Sequence, residues 1–210
     1  MPEVHYTPAE ERLNVLTHAL GVVLSIVGLV AMLVRSDDPV EIISSLVFGV
    51  SLIILYTAST LYHAAKAPHT RARLRIFDHA AIYILIAGTY TPVCMITLSE
   101  TVGTTLLIVI WIVAICGVTL KLFFTGRFDR LSTIMYIAMG WIAIFAIKPL
   151  LSTMSTDGLL WLLSGGIFYT LGAILYSIRS LPMNHAVFHI CVLGGSASHF
   201  IMIYSHILFP

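Results

Sequence analysis

Apolar residues fill seven stretches of the chain, and charged or turn-forming residues separate each stretch from the next. Each stretch is about 20 residues long, the length at which an α-helix crosses the hydrocarbon core of a bilayer. The pattern therefore predicts an all-α membrane protein, a seven-transmembrane-helix bundle in one domain that covers residues 1–210. The predicted spans are approximately 14–34, 42–64, 77–98, 104–123, 131–151, 158–178 and 185–208.

The composition supports this fold class. Hydrophobic residues make up 59% of the chain, and Asp, Glu, Lys and Arg together only 10%. Soluble domains are nearer one quarter charged, so this composition excludes cytosolic enzymes, nucleic-acid-binding proteins and disordered chains. Cys94, Cys116 and Cys191 lie in different apolar stretches, and we therefore expect no disulfide framework.

The basic residues are distributed unevenly between the two sides of the membrane. Successive loops of a seven-span protein alternate sides, and only Arg35 and Lys148 fall on the side opposite the amino terminus. Short cytoplasmic loops carry an excess of Lys and Arg, so we expect the amino terminus inside and the carboxyl terminus outside. This is the reverse of a G-protein-coupled receptor, and residues 185–208 lack the Lys that retinal would need. The basic residues on the amino-terminal side are Arg12, Lys66, Arg71, Arg73, Arg75, Lys121, Arg127, Arg130 and Arg179.

Five polar residues from three predicted spans lie at the same, cytoplasmic depth. Ser59 and His63 end the second span, Asp78 opens the third, and His185 and His189 open the seventh. Ionisable groups at membrane depth are costly and by default mark a functional site. Residues four apart on a helix share a face, so each pair with that spacing can direct both side chains to one point.

The residue types indicate a metal site. Three neutral histidines with an open fourth position form the ligand set of a catalytic zinc ion, and we predict that His63, His185 and His189 bind Zn²⁺. In this hypothesis Asp78 holds the water that zinc activates for attack on a carbonyl group. Ser59 orients that water or stabilises the developing oxyanion.

Simpler interpretations remain open for some of these residues. Asp78 can instead pair with Arg75 one turn earlier, and Ser59 can serve helix packing. His199 lies ten residues beyond His189, about 15 Å deeper at the usual helical rise, and cannot bind the same ion. It either lines the floor of a cavity or hydrogen-bonds a neighbouring helix.

Two further patterns concern the first and third helices. A stripe on the first helix is expected to face the bundle, where His18 could be a fourth ligand, a partner of the ligands or a packing residue. Residues 88–92 end in Pro92 and predict a bend in the outer half of the third helix, because proline lacks a backbone donor. The stripe consists of Glu11, Asn14, His18, Gly21 and Ser25.

At these residues the sequence resembles the hemolysin III family, the bacterial branch of the progestin and adipoQ receptor family, within a superfamily that contains alkaline ceramidases. The resemblance covers nearly the whole chain. It implies zinc bound by His63, His185 and His189, with Asp78 and Ser59 near the water on the metal, and an inward amino terminus. The motifs that carry it are Glu11-Arg-Leu-Asn14-Val-Leu-Thr17-His18-Ala-Leu-Gly21, then Ser59-Thr-Leu-Tyr-His63 with Asp78, then His185-Ala-Val-Phe-His189.

Two functions are consistent with these residues and with the resemblance. The first is a zinc-dependent hydrolase of a lipid amide or ester, ceramidase-like, with its site at the cytoplasmic leaflet of a bacterial inner membrane. The alternative is a non-catalytic sensor or receptor, or a cytolytic factor, in which zinc is structural. An open fourth position favours the hydrolase, since structural zinc sites usually have four protein ligands. The expected partner is a membrane lipid, as substrate or ligand, and no nucleic acid.

The orientation can be tested by cysteine labelling of intact cells, in a background with the three native cysteines replaced by alanine. We expect a thiol introduced by Asp157→Cys to react with an impermeant reagent, because residue 157 lies in an outer loop. A thiol introduced by Arg73→Cys should react only after permeabilisation. The opposite pattern would reverse the orientation.

Overall fold

The computed structural model of the protein describes residues 6–125, 127–178 and 180–209, without the side chains of residues 129 and 130. Arg179 and the side chain of Arg130, two of the basic residues on the amino-terminal side, lie outside this description. Every regular element within the described ranges is helical.

Across these ranges, seven helical segments are long and apolar enough to cross a membrane, which confirms the predicted fold class. The fifth span combines two α-helices joined by a 3₁₀ segment, Ile142–Ala146. Large apolar side chains cover the outer surface, where a bilayer would solvate them. The helices are α1 (Pro8–Arg35), α2 (Pro39–Ala64), α3 (Pro68–Pro92), α4 (Glu100–Phe124), α5 (Asp129–Gly140), α6 (Ile147–Thr153), α7 (Thr156–Ser177) and α8 (Asn184–His206).

Proline and side-chain caps define where several helices begin. The Thr7 hydroxyl accepts a hydrogen bond from the first turn of α1, and the Asp38 carboxylate does the same for α2. Both helices have proline at their first position, where its missing N–H group leaves no unsatisfied donor. Ser155 caps α7 in the same way.

The third helix begins nine residues before the predicted position, at Pro68 and not at residue 77. The expectation was wrong because hydropathy marks where a helix becomes apolar, whereas Pro68 starts a helix whose first turns are basic. Arg71, Arg73 and Arg75 therefore lie on α3 and not in a loop. At its other end α3 continues past Pro92 as a π-helix over Val93–Thr97.

The fifth span was predicted to be one helix over 131–151, but it is interrupted after Gly140. The Tyr90 hydroxyl enters the break: it donates to the Gly140 carbonyl at 2.8 Å and accepts from the Ala143 N–H at 2.9 Å. A backbone break inside a membrane requires such a substitute partner, because lipid offers none. The irregularity depends on a residue of α3 and so could not be seen in the pattern of the fifth span.

Helices that are consecutive in the chain are neighbours in the bundle. α1 packs against both α2 and α8 and so closes the ring of helices. The third and last spans are the most enclosed. In their most apolar stretches 67% and 56% of the residues are buried, compared with 28% in α1. Because successive helices alternate in direction, the end of α2 and the beginnings of α1, α3 and α8 lie at one end of the bundle.

Candidate metal centre

Three histidines meet at this end of the bundle. His63 lies in the last turn of α2, and His185 and His189 lie in the first two turns of α8. One nitrogen of each ring lies within 4.8 Å of the others, and all three residues are buried. His63 Nε2 and His185 Nε2 are 3.0 Å apart. The predicted ligands thus form one group that could hold a metal ion.

The first helix holds two of these rings by their other nitrogen. His63 Nδ1 lies 2.7 Å from Glu11 Oε2, and His189 Nδ1 lies 3.3 Å from the backbone oxygen of Asn14. His63 Nδ1 also lies 3.3 Å from Asn14 Nδ2, which only donates, but the contact to the carboxylate is much shorter. A carboxylate and a carbonyl only accept, so Nδ1 is the donor in both of these contacts. Nε2 of each neutral ring is then left with a lone pair for a metal.

Residues just before and within the first turn of α1 hold the third ring. The Tyr6 hydroxyl lies 3.0 Å from His185 Nδ1, and the His185 backbone N–H donates to Glu10 Oε1 at 3.2 Å. Burial raises the pKa of Tyr6 above its usual value, so its hydroxyl stays protonated at physiological pH. The start of α1 therefore contacts all three histidines through polar atoms.

Arg71 on α3 contacts both Glu11 and the end of α2 and so stabilises this arrangement. It forms an ion pair with Glu11 and donates to the backbone oxygens of Tyr62 and Ala65 at 3.2 and 3.4 Å. Its guanidinium also lies over the Tyr62 ring, 4.6 Å from the centroid. These contacts satisfy carbonyl groups at the end of α2 and fix the carboxylate that holds His63.

Asp78 and Ser59 lie on the wall of a cavity that His185 and His189 also line, and both are buried. The Ser59 hydroxyl lies near the Asp78 carboxyl, but it has no hydrogen-bond partner of good geometry among the described residues. The structure therefore places both predicted catalytic residues on the wall of the cavity that His185 and His189 also line. Their roles remain predictions.

The sequence left three roles open for His18, and the structure shows it packed against a ligand candidate. Its ring stacks on His189, with centroids 3.5 Å apart and planes 8° from parallel, and its edge meets the Tyr56 ring. Neither ring nitrogen has a hydrogen-bond partner among the described residues. His18 lies on the cavity wall and outside the three-histidine group.

A mainly apolar cavity of about 170 Å³ begins at the histidines and extends into the bundle. Its walls come chiefly from α3, α5, α7 and α8. His199 lies on this wall and also contacts the Leu162 backbone oxygen at 3.2 Å, so both interpretations of this residue hold. Apolar residues that line the cavity include Leu55, Ile82, Leu85, Ile86, Phe188 and Val192.

Sequence reasoning missed three residues of the centre: Tyr6, Glu10 and Arg71. Glu11 and Asn14 were recognised only as part of a stripe and a motif. Glu11 lies seven residues and Asn14 four residues before His18, so all three share one helix face, and this spacing was the available signal. Tyr6 had no comparable signal, because its partner His185 is 179 residues away.

The fold and the site define a multi-pass membrane protein with a buried three-histidine cluster. Residues 6–200 match the family described as Haemolysin-III related, and the chain belongs to that family. It is 44% identical to Hemolysin-3 of Bacillus cereus over 202 residues, which covers 95% of this chain and 92% of that protein. It is also 44% identical to a Hemolysin-3 homolog of Bacillus subtilis (strain 168) over 198 residues, 93% of each chain.

A more distant relative comes from animals. The chain is 28% identical to the human Monocyte to macrophage differentiation factor over 204 residues, 94% of this chain and 84% of that protein. No solved structure matches the chain significantly.

The ligand assignment predicts the metal content of purified variants. His63→Ala and His185→Ala should each lose most of the bound metal, because two remaining nitrogens leave an incomplete shell. His199→Ala should retain it, since residue 199 lies outside the group. Elemental analysis of the purified proteins measures this, and equal losses in all three variants would contradict the assignment.

The contact between Glu11 and His63 predicts a graded effect on metal affinity. Glu11→Gln should weaken binding by about 10- to 100-fold without abolishing it, because the carboxylate orients the ligand and raises its basicity. Glu41→Gln is the matched control, since Glu41 lies in the first turn of α2 at the opposite end. Competition with a chromogenic chelator gives the metal affinities of both variants. Equal affinities would contradict a role of Glu11 in metal binding and leave only its ion pair with Arg71.

Proposed function

We propose that the protein is a zinc-dependent hydrolase that cleaves an amide or ester bond of a membrane lipid. The observation that carries the proposal is the convergence of three buried imidazoles, each contacted at Nδ1 by another residue. A carboxyl and a hydroxyl group, those of Asp78 and Ser59, lie on the wall of the cavity that His185 and His189 also line. The histidine group stands at the end of this cavity, which is lined mainly by apolar residues. A polar centre joined to an apolar chamber suits a lipid whose head carries the bond to be cleaved.

The donor set supports zinc as the metal. Neutral imidazole nitrogens suit zinc better than magnesium or calcium, which prefer oxygen ligands. Tetrahedral zinc with Zn–N distances of about 2.0–2.1 Å requires nitrogens about 3.3–3.4 Å apart. The observed 3.0 Å between the Nε2 atoms of His63 and His185 is close to this distance, and the third nitrogen lies within 4.8 Å of both. His63, His185 and His189 would be the ligands, and three protein ligands leave one position open.

Each residue near the centre would then have a defined task. Zinc, when bound, lowers the pKa of a coordinated water towards about 7 and polarises a carbonyl group. Asp78 would accept the proton of the attacking water and return it to the leaving nitrogen or oxygen, acting as general base and then general acid. Ser59 would donate a hydrogen bond to the carboxylate or to the developing oxyanion. Water is consumed, the C–N or C–O bond breaks, and a carboxylic acid and an amine or alcohol form.

The cavity supports a lipid as the substrate. A chain that enters it from the bilayer exchanges one apolar environment for another, so binding needs no large hydrophobic gain and is oriented by the polar groups at the centre. The excess of basic residues on the amino-terminal side supports a site at the cytoplasmic leaflet. The Bacillus relatives support a bacterial cell membrane as the location.

The alternative is a non-catalytic protein in which the metal is structural. The names of the relatives favour it, since they speak of lysis and of differentiation and not of hydrolysis. A lytic factor or a sensor would still need the three histidines to hold α1, α2 and α8 together. The two functions differ in whether Asp78 is needed for chemistry or only for structure.

Asp78→Asn distinguishes these functions. We expect this variant to retain the metal and to lose hydrolysis by roughly 10²–10⁴-fold, the usual effect of removing a general base. The amide keeps the shape of the carboxylate but cannot take a proton. The assay uses purified protein in lipid, with long-chain ceramides and acyl esters as substrates and elemental analysis for the metal.

Ser59→Ala is the matched control and should lower the rate much less, since a hydrogen bond is weakened while the base remains. Wild-type protein that binds zinc but cleaves none of these lipids would overturn hydrolysis. In that case a cellular phenotype that still depends on Asp78 would support the sensor.

A further inference from the structure

Exposed charged side chains differ between the two ends of the bundle. At the end that contains the three histidines, which we call the metal-centre end, four of the described Lys and Arg side chains are exposed. The opposite end has four exposed carboxylates and only two exposed basic side chains, those of Arg35 and Lys148. The exposed basic residues of the metal-centre end are Arg12, Lys66, Arg73 and Arg127, and the exposed acidic residues of the opposite end are Asp37, Asp38, Glu100 and Asp157.

The carboxylates described at the metal-centre end do not neutralise these four charges. Glu10 is buried and accepts from a backbone N–H group of α8. Glu11 contacts Arg71 and His63, and Asp78 is buried. None of the ion pairs between described side chains involves any of the four basic residues. Their positive charge is therefore presented to the surroundings.

Membrane orientation does not require this separation of both signs. The excess of Lys and Arg on one side directs orientation, whereas Asp and Glu contribute little to it. The exposed acidic residues nevertheless lie at the opposite end. The arrangement gives the metal-centre end a positive potential, which attracts anionic partners.

Apolar neighbours indicate the depth of two of these charges. Arg12 and Leu16 are four residues apart on α1, and Arg73 and Phe77 are four apart on α3, so each pair shares a face about 6 Å long. Leu16 is 64% exposed and Phe77 is 57% exposed, which suits contact with the hydrocarbon of a bilayer. Each guanidinium group then lies one turn beyond the hydrocarbon, at the depth of the lipid headgroups.

We propose that Arg12, Lys66, Arg73 and Arg127 form a basic surface that binds the phosphate groups of anionic phospholipids. Arginine donates paired hydrogen bonds to phosphate oxygens, and lysine adds a compact positive charge. Basic side chains next to a membrane-spanning helix attract anionic headgroups in this way. Anionic lipids would thus be enriched around the metal-centre end. This inference does not depend on the proposed hydrolysis.

The test measures which lipid lies next to the basic surface. Phe77→Trp places a fluorescent reporter one turn from Arg73, and subtraction of the wild-type emission removes the signal of the three native tryptophans. The purified variant is reconstituted in vesicles that contain brominated phosphatidylglycerol or brominated phosphatidylcholine, both of which quench tryptophan on contact. Because both leaflets have the same composition, the orientation of the protein in the vesicle does not affect the result.

We expect the anionic lipid to associate with this reporter about two- to fivefold more tightly than the zwitterionic lipid, up to the effect of one basic residue near an anionic surface. Leu160→Trp is the control reporter, since Leu160 is exposed near Asp157 at the opposite end, and it should show no such preference.

Removal of charge should remove the preference. Arg12→Gln combined with Arg73→Gln should bring the ratio at the Phe77→Trp reporter close to one. Lys148→Gln is the matched control, because this exposed lysine belongs to the opposite end, and it should leave the ratio unchanged. In the protein with intact charges, about 1 M NaCl should have the same effect as the double substitution, because it screens exposed charges beyond about 3 Å. This salt series decides the matter if the double variant does not fold.

Equal quenching by the two lipids at the Phe77→Trp reporter overturns the basic surface, as does an equal preference at both reporters. A preference that survives both the double substitution and high salt overturns the assignment to these residues. Loss of the preference on addition of soluble glycerol phosphate would identify a free phosphate compound as the occupant and overturn the lipid. Each of these results leaves the proposed hydrolysis standing.

Discussion

Three imidazole rings are buried together, and their polar atoms can be tolerated there only if each is satisfied. Glu11, Tyr6 and the backbone of Asn14 meet this need by engaging the three Nδ1 atoms. An unsatisfied polar group in an apolar environment costs several kcal/mol, of order 2–7, so these contacts tie the start of α1 to α2 and α8. The packing that closes the ring of helices and the assembly of the candidate metal centre are thus consequences of one requirement.

The same requirement explains the irregular fifth span. A helix interrupted inside a membrane exposes carbonyl and N–H groups that lipid cannot satisfy, and here the Tyr90 hydroxyl serves one of each kind. Because Tyr90 belongs to α3, the break is held open by a neighbouring helix. Gly140, Trp141 and Tyr90 itself line the cavity, so the irregularity and the chamber are parts of one feature.

The two ends of the cavity differ in their polar groups. At one end several nitrogens converge on a common point, which attracts a cation and the bond that the cation can polarise. At the other end Tyr56 and Tyr169 hydrogen-bond Ser196, and Trp141 hydrogen-bonds Thr170. His199 Nδ1 has no hydrogen-bond partner among the described residues. Between them the wall is mainly apolar, so a bound lipid chain would make apolar contacts along its length and would be oriented by polar contacts at its end.

Local chemistry in the sequence was enough to predict the seven spans, the pairs of residues four apart and the common depth of Ser59, His63, Asp78, His185 and His189. Helix length and periodicity are repeated every few residues, and a membrane imposes the same thickness on every span, so these features need no knowledge of packing. Only the tertiary structure decided where α3 begins, how the fifth span breaks, and which atoms hold the histidines. Tyr6 and His185 are 179 residues apart, and Glu11 and His63 are 52 apart. No periodic pattern connects such pairs, because their contact depends on the mutual rotation of separate helices, which is set by the packing of the whole bundle and by the tendency of buried polar atoms to find partners.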